Sequence, residues 1–189
     1  MIIIIDNYDS FTYNLFQYVK KYYDDVIVLK NNDKSLMEIN LAKTSSIILS
    51  PGPGKPSEAG LMPKIIKKYY KSIPILGICL GHQSIIETFG GKIHSAKNIC
   101  HGKVYQVKHY SNCILFKGIE KIFNATRYHS LVSSNNIPDC LEVTAKTKID
   151  NEIMGVKHKK YPVFGLQFHP ESIETPDGLR MIKNFIYEA

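Results

Sequence analysis

The sequence lacks the long apolar segments that mark membrane proteins. No run approaches the roughly 18 consecutive apolar residues that a membrane-spanning helix requires. The apolar opening Met1–Ile5 stops at Asp6 and has no positively charged leader, so it fits a buried first strand better than a signal peptide. We therefore expect no membrane partner and no signal or transit peptide. We expect the cytoplasm as the location, or the plastid stroma if an organelle genome encodes the chain.

Arginine is scarce, which argues against nucleic-acid binding. The formal net charge is +7 and the isoelectric point is near 9.1, values that would suit a nucleic-acid-binding protein. Of the 24 basic residues, however, only Arg127 and Arg180 are arginine. Arginine binds phosphate and guanine better than lysine does, because its planar guanidinium group can donate two hydrogen bonds at once. We interpret the lysines as a solvated surface and predict no nucleic-acid partner.

Cysteine pairs of the C-x-x-C type are absent, which argues against a disulfide framework and against a zinc site. We expect reduced thiols at all four cysteines, which are Cys79, Cys100, Cys113 and Cys140. The segment His169-Pro170-Glu171 has the His-x-Glu form of zinc deaminases, but Pro138 and Cys140 do not form the P-C-x-x-C that this signature also needs. No H-E-x-x-H spacing occurs either, so we predict no metal and no cofactor.

What the sequence does contain is an alternation of strand and helix patterns. A length of 189 residues with 44% hydrophobic residues suits one domain, residues 1–189, with a full core. The first half predicts strands at Met1–Ile5, Val26–Leu29, Ile47–Leu49 and Ile75–Ile78, and helices at Ser10–Tyr22, Ser35–Lys43, Pro63–Lys71 and Leu80–Phe89. This order predicts an α/β fold with a largely parallel twisted sheet and helices on both faces.

The second half predicts some antiparallel strands. Lys92–Ala96 and Lys103–His109 indicate a hairpin-rich excursion. Further strands are predicted at Leu141–Lys148, Glu152–Lys157 and Val163–Phe168, followed by a closing helix at Asp177–Tyr187.

Three loops of the predicted sheet end at the same edge. Ligands of parallel sheets bind at the carboxyl ends of the strands. The loops Asp6–Ser10, Ser50–Gly60 and Cys79–Gln83 each follow a predicted strand. We therefore expect these loops to lie together and to form a site.

The segment Gly77-Ile78-Cys79-Leu80-Gly81 has the form of a nucleophile elbow between a strand and a helix. Glycines two residues on either side leave room for the strained turn. Cys79 would then lie at a helix N-terminus, where the macrodipole favours a thiolate. A lone cysteine is more often a buried structural residue, but the elbow context favours a nucleophile here.

The segment His169-Pro170-Glu171 supplies a base and a partner for it. Pro170 biases His169 towards an extended conformation, and residues two apart in an extended segment lie on the same side. Glu171 could then orient the imidazole while His169 faces Cys79, as in a catalytic triad. Taken alone, the tripeptide would fit a surface loop equally well.

Glycines in Ser50-Pro51-Gly52-Pro53-Gly54 would let backbone N–H groups approach a ligand closely. A proline-glycine run is most often a simple turn. A tetrahedral intermediate, however, needs two donors, and the N–H groups of Gly52 and Leu80 are the natural pair.

Five motifs in chain order resemble those of the class I, or triad-type, glutamine amidotransferases. They lie at Asp6–Asn14, Ser50–Gly54, Gly77–Gln83, Arg127–Leu131 and Gly165–Ser172. The opening Asp-Asn-Tyr-Asp-Ser-Phe-Thr resembles in particular the chorismate-using branch, which contains component II of anthranilate synthase and the glutaminase subunit of aminodeoxychorismate synthase. The resemblance extends from Met1 to about Tyr187.

The resemblance implies a role for each matching residue. Cys79 is implied as nucleophile, His169 as general base and then acid, and Glu171 as orienting partner. The implied glutamine contacts are the backbone of Gly52, Pro53 and Gly54, the side chain of Gln83, and the backbone of Ser130 and Leu131. From the residues alone, Gln83 could be a surface residue and Ser130 a helix cap. The His101-Gly102-Lys103 segment also resembles the family, without an assignable role.

The implied reaction is hydrolysis of L-glutamine, with the ammonia passed to a chorismate-binding component I. The product would be anthranilate for tryptophan biosynthesis, or 4-amino-4-deoxychorismate for folate biosynthesis, or both. Two other classes are a Cys-His hydrolase acting alone and a non-catalytic binding subunit. The opening segment argues against the first, and the presence of Cys79, His169 and Glu171 argues against the second.

Overall fold

A nine-stranded mixed sheet forms the centre of the molecule. The computed structural model describes residues 1–96, 102–110 and 112–189. The strands are β1 Ile2–Asp6, β2 Val26–Lys30, β3 Ser46–Leu49, β4 Ile75–Ile78, β5 Ile93–Ser95, β6 Lys103–His109, β7 Ile122–Arg127, β8 Leu131–Ser133, β9 Leu141–Thr147, β10 Ile153–His158 and β11 Val163–Leu166. Their order is β2-β1-β3-β4-β11-β10-β9-β6-β7, and β5 pairs with β8 in a separate two-stranded sheet.

The large sheet consists of two halves with different pairing. The parallel half is β2, β1, β3, β4 and β11, whose neighbours all pair in parallel. The antiparallel half is β10, β9, β6 and β7. β11 forms the boundary, because it pairs in parallel with β4 and antiparallel with β10. The predicted α/β fold, with its parallel sheet and antiparallel additions, is confirmed.

Four α-helices cover the two faces of the sheet within the described residues. They are α1 Thr12–Lys20, α2 Met62–Tyr69, α3 Leu80–Thr88 and α4 Gly178–Glu188. Helices α1 and α4 share one hydrophobic cluster with the sheet, and α2 and α3 share another on the opposite face. None of these helices is long and apolar enough to cross a membrane.

The isoleucine run of β1 explains why the sheet is buried on both sides. Successive side chains of a strand point to opposite faces. Ile2 and Ile4 pack in the cluster of α1 and α4, whereas Ile3 and Ile5 pack in the cluster of α2. All four are buried, and each contributes about 1.5–3 kcal/mol through its removal from water.

The two strand segments predicted around residues 92–109 are present as β5 and β6, and both pair in antiparallel fashion, β5 with β8 and β6 with β7 and β9; residues 97–101 between them lie outside the described part. One prediction about secondary structure was wrong. The predicted helix Ser35–Lys43 is a short 3₁₀ helix, Lys34–Glu38. At its end Ile39 adopts a non-helical conformation, with φ of −59° and ψ of 128°, and its N–H donates to the Tyr69 hydroxyl at 3.1 Å.

Candidate active site

The loops after β1 and β3 are joined by buried hydrogen bonds. The Asn7 N–H donates to Ser50 Oγ at 2.9 Å, and Asn7 Nδ2 donates to the Ser50 carbonyl at 2.9 Å. Gly52 lies so close that a Cβ there would be 2.6 Å from Asn7 Cβ and 3.0 Å from Leu80 Cδ2. The loops after β1, β3 and β4 therefore meet at one edge of the sheet, as predicted.

Cys79 occupies a strained turn between β4 and α3. Its φ of 50° and ψ of −99° lie in a region that non-glycine residues rarely adopt, and such strain collects at functional sites. The flanking glycines are required by space. A Cβ on Gly77 would lie 2.4 Å from the Gly81 carbonyl carbon, and one on Gly81 would lie 2.6 Å from the Leu49 oxygen. The structure thus gives Cys79 the elbow geometry that its sequence predicts.

His169 and Glu171 form a buried pair beside Cys79. His169 Nδ1 donates to Glu171 Oε1 at 2.7 Å, so the two side chains share one side of the segment. Burial lowers the pKa of the His169 imidazole, but the Glu171 carboxylate and Cys79 outweigh it and hold that pKa well above its usual value. Nδ1 is hydrogen-bonded to Glu171, so the other ring nitrogen, Nε2, is the one that interacts with the Cys79 side chain and is available for proton transfer.

Strand β7 holds the His169 segment in place. The His169 N–H donates to the Thr126 carbonyl at 3.1 Å. Thr175 Oγ1 donates to the His169 carbonyl at 2.8 Å, and it accepts from the Thr126 N–H at 3.1 Å. The segment after β11 is therefore anchored on the antiparallel half, while Cys79 belongs to the parallel half.

A small cleft of about 170 Å³ opens at Cys79. Its lining contains every residue predicted to contact glutamine, and the full lining is Gly52, Pro53, Gly54, Cys79, Leu80, Gln83, Tyr128, His129, Ser130 and Leu131. Clefts for drug-sized ligands measure roughly 300–1,000 Å³, so this cleft suits a smaller molecule. Gln83 is buried rather than on the surface, and Ser130 precedes strand β8 rather than capping a helix.

A buried arginine beside the cleft was not predicted to have a role. Arg127 is fully buried and forms ion pairs with Asp150, at 3.3 Å, and with Glu152. Its Nε donates to His129 Nε2 at 2.9 Å. Burial and the Arg127 cation lower the pKa of His129 to about 3, so this imidazole is neutral near pH 7. The signal in the sequence was Arg127 itself, one of only two arginines.

A second cysteine and histidine, Cys113 and His109, lie together in another cleft, but their environment does not favour a thiolate. His109 and Cys113 line a cleft of about 280 Å³. Burial raises the pKa of the Cys113 thiol to about 11, so almost no thiolate forms there near pH 7. The His109 ring stacks on Phe116 with 5.0 Å between centroids. In the described residues, no group of three or more His, Cys, Asp or Glu side chains could hold a metal ion.

A cysteine in an elbow, a histidine–carboxylate pair beside it and a small polar cleft match the geometry that cysteine-dependent acyl-transfer enzymes use. The family profile of glutamine amidotransferase class-I matches residues 3–189, and the chain belongs to this family.

Similar proteins include second components of anthranilate and aminodeoxychorismate synthases. The chain is 49% identical to anthranilate synthase component 2 of Lactococcus lactis, over 100% of this chain and 95% of that protein. It is 46% identical to aminodeoxychorismate/anthranilate synthase component 2 of Bacillus subtilis, over 98% of this chain and 95% of that protein. It spans only 32% of a bifunctional relative from Thermotoga maritima, at 47% identity over 98% of this chain.

A crystal structure of a Thermoplasma acidophilum protein, assigned to a GMP synthase, has a similar fold. The TM-score is 0.86 at 26% identity, and the match covers 98% of this chain and 91% of that chain. The fold is therefore shared with a protein assigned to a different synthase.

Proposed function

We propose that this chain is the glutaminase subunit of an anthranilate synthase. It hydrolyses L-glutamine and delivers the ammonia to a chorismate-binding component I. The observation that carries the proposal is the strained Cys79 elbow beside the buried His169–Glu171 pair. A structural cysteine would have no need for a backbone conformation of this cost.

In the first step, His169 takes the proton of the Cys79 thiol, and the resulting thiolate attacks the side-chain amide carbon of glutamine. An S–C bond forms, and the oxygen gains the negative charge of a tetrahedral intermediate. The N–H groups of Gly52 and Leu80 stabilise this oxyanion. Leu80 is the first residue of α3, where backbone N–H groups have no partner within the helix.

The C–N bond then breaks, and His169 gives its proton to the leaving ammonia. Water next attacks the γ-glutamyl thioester, His169 accepts a proton from it, and glutamate and the free Cys79 are released. Glu171 holds the imidazole in one orientation through the 2.7 Å bond to Nδ1. The raised pKa of His169 favours the imidazolium that the first step needs as its acid.

The cleft lining provides the contacts for the rest of glutamine. Gln83, the backbone of Ser130 and Leu131, and Gly52–Gly54 all line the cleft. Exposed aromatic side chains on the opening segment, Tyr8 and Tyr13, are 56% and 64% accessible. Aromatic residues of this kind anchor interfaces, so we assign them to the contact with component I.

A second candidate is the glutaminase subunit of aminodeoxychorismate synthase, or one subunit that serves both enzymes. The name of the Bacillus subtilis relative includes both activities. Reconstitution with each type of component I, followed by identification of the product, distinguishes these functions.

The test of the glutaminase role is the substitution Cys79→Ser in the reconstituted complex. We expect glutamine-dependent synthesis to disappear and ammonia-dependent synthesis to persist, because the amination belongs to component I. Cys140→Ser, at a cysteine outside the cleft, is the matched control and should keep both activities. Loss of both activities by an assembled Cys79→Ser complex would contradict the proposed division of labour.

A further inference from the structure

The side chain of Gln167 lies against the sulfur of Cys79. Its Nε2 is 3.7 Å from Cys79 Sγ, and Gln167 is fully buried. Sulfur is a weak acceptor as a thiol, but hydrogen bonds become about twice as strong when one partner is charged. A donor at this position therefore stabilises the thiolate more than the thiol.

The orientation of this amide is determined by a neighbouring carbonyl. The backbone oxygen of Leu131 can only accept, so the Gln83 group that lies 2.9 Å from it must be the Nε2 donor. The same Nε2 lies 3.0 Å from Gln167, which therefore presents its Oε1 as the acceptor. The remaining end of the Gln167 amide, which faces Cys79, is consequently the NH₂ group.

The hydrogen bonds that link Gln167, Gln83 and the Leu131 carbonyl continue to Arg127. Its Nε can only donate, so His129 Nε2 accepts and the proton of His129 lies on Nδ1. This Nδ1 donates to the Leu131 carbonyl at 3.0 Å. The Leu131 carbonyl therefore accepts two hydrogen bonds, one from His129, which Arg127 holds in place, and one from Gln83.

We propose that Gln167 is a further catalytic residue, which donates a hydrogen bond to Cys79 Sγ and stabilises the thiolate. The proposal rests on the glutaminase function proposed above. The sulfur carries negative charge twice in that reaction, before it attacks the amide and again when water displaces it from the thioester. A donor fixed beside the sulfur raises the fraction of thiolate that is available for the attack, and it lowers the barrier of the later step, in which negative charge builds up on the departing sulfur.

Alkylation of Cys79 by iodoacetamide tests the proposal without glutamine or component I. The reagent reacts with the thiolate, and mass spectrometry of the peptide that contains Cys79 follows this cysteine alone. Gln167→Met keeps the length of the side chain and removes the donor. Gln167→Glu keeps an oxygen that accepts from Gln83 and places a second oxygen at the sulfur. Gln17→Met, at an exposed position of α1, is the control.

We expect Gln167→Met to lower the alkylation rate at pH 6.5 about tenfold, the effect of a lost hydrogen bond to a charged group. The loss should shrink at pH 9, where the thiolate forms without help. Gln167→Glu should slow the reaction at least as much, because a carboxylate repels the thiolate. The control should react at the wild-type rate.

Wild-type alkylation rates in a folded Gln167→Met or Gln167→Glu protein would overturn the proposal. An equal loss at both pH values would overturn it as well, because it would indicate altered access to the sulfur. Circular dichroism establishes folding, and either variant suffices if the other does not fold. Failure of the glutaminase function would appear instead in the Cys79→Ser experiment and would leave the alkylation result intact.

Discussion

The two halves of the sheet position the candidate site by different physical means. In the parallel half, β1, β3 and β4 are buried along their whole length, and the glycines around Cys79 touch backbone atoms of neighbouring elements. In the antiparallel half, by contrast, β6 has only Val107 buried among its seven residues, and the polar groups of Arg127 and His129 support the cleft. Close packing fixes the position of Cys79, whereas hydrogen bonds and charge fix the loop between β7 and β8 that lines the cleft.

The difference shows why the site lies at the boundary between the halves. His169 follows β11, the strand that pairs with both, and its N–H is held by Thr126 of β7. A rigid elbow needs close packing, because a shift of about 1 Å in a reacting atom is costly. A loop that recognises a polar ligand needs buried donors and acceptors with defined directions.

Adding one methyl group at Gly81 should have the largest effect on the parallel half. The new Cβ would lie 2.6 Å from the Leu49 oxygen and 2.7 Å from Leu49 Cβ, so α3 would have to leave the sheet. We expect Gly81→Ala to cost more than about 4 kcal/mol of unfolding free energy, or to prevent folding. Urea unfolding followed by circular dichroism measures the loss.

Gly90→Ala is the comparison for this substitution. Gly90 has a φ of 97°, but a Cβ there meets nothing within 4 Å. The cost should be that of the backbone conformation alone, about 1–2 kcal/mol. If both variants lost the same free energy, close packing against β3 would not be what requires glycine at position 81.

At the boundary, His169→Ala should impair glutamine hydrolysis more than Glu171→Ala does. Proton transfer by a positioned side chain contributes roughly 10²–10⁴-fold, and water replaces an orienting carboxylate better than it replaces the proton carrier. Single-turnover rates of thioester formation give the comparison. Equal losses would mean that Glu171 does more than orient the imidazole.

Much of the fold could be predicted because the parallel half has continuous apolar strands. Runs such as Ile75–Ile78 are bounded by turn residues and lie between helical patterns. β7 was missed because its sequence, Ile-Phe-Asn-Ala-Thr-Arg, mixes polar with apolar residues and lies at the end of the sheet. β8 has only three residues, and its pairing with β5 across nearly forty positions leaves no local signal.

The candidate site, like the fold, has parts that a local sequence motif predicts and parts that depend on contacts between distant residues. Cys79, Gly77 and Gly81 are neighbours in the sequence, so one local motif predicted the elbow that the structure contains. The contact of Gln167 with Cys79 joins residues 88 positions apart, and the Arg127 network depends on the directions of side chains. Such contacts follow from the folded arrangement and could not be read from spacing. The catalytic roles of the site residues remain predictions.

In the antiparallel half, Arg127→Met should weaken both stability and glutamine binding. The substitution leaves Asp150 and Glu152 without their cation and His129 without its donor. Loss of one partner from a fully buried pair costs about 3–5 kcal/mol, and the partial exposure of the two carboxylates reduces this to about 2–3 kcal/mol. Urea unfolding and the KM for glutamine measure the two effects.

Arg127→Lys separates charge from geometry in this network. Lysine keeps the positive charge but lacks the fork that reaches His129 and the carboxylates together. We expect Arg127→Lys to recover part of the stability while its KM for glutamine stays above the wild-type value. Full recovery of both quantities would mean that the charge alone supports the cleft.

The last expected effect concerns acid, and it acts within the parallel half. Burial lowers the pKa of His82, on α3, from 6.5 to about 4. Below pH 6.5 the unfolded chain binds a proton at His82 that the folded protein does not bind, so the free energy of unfolding falls by about 1.4 kcal/mol per pH unit until about pH 4.

His129, with a pKa of about 3, adds a similar slope. His169 adds none in this window, because a raised pKa affects stability only above pH 6.5. His82→Met should therefore make the loss of unfolding free energy between pH 6.5 and 4.5 shallower by about 1.4 kcal/mol per pH unit, as measured by urea unfolding. An unchanged slope in His82→Met would mean that His82 binds its proton equally well in the folded and the unfolded protein.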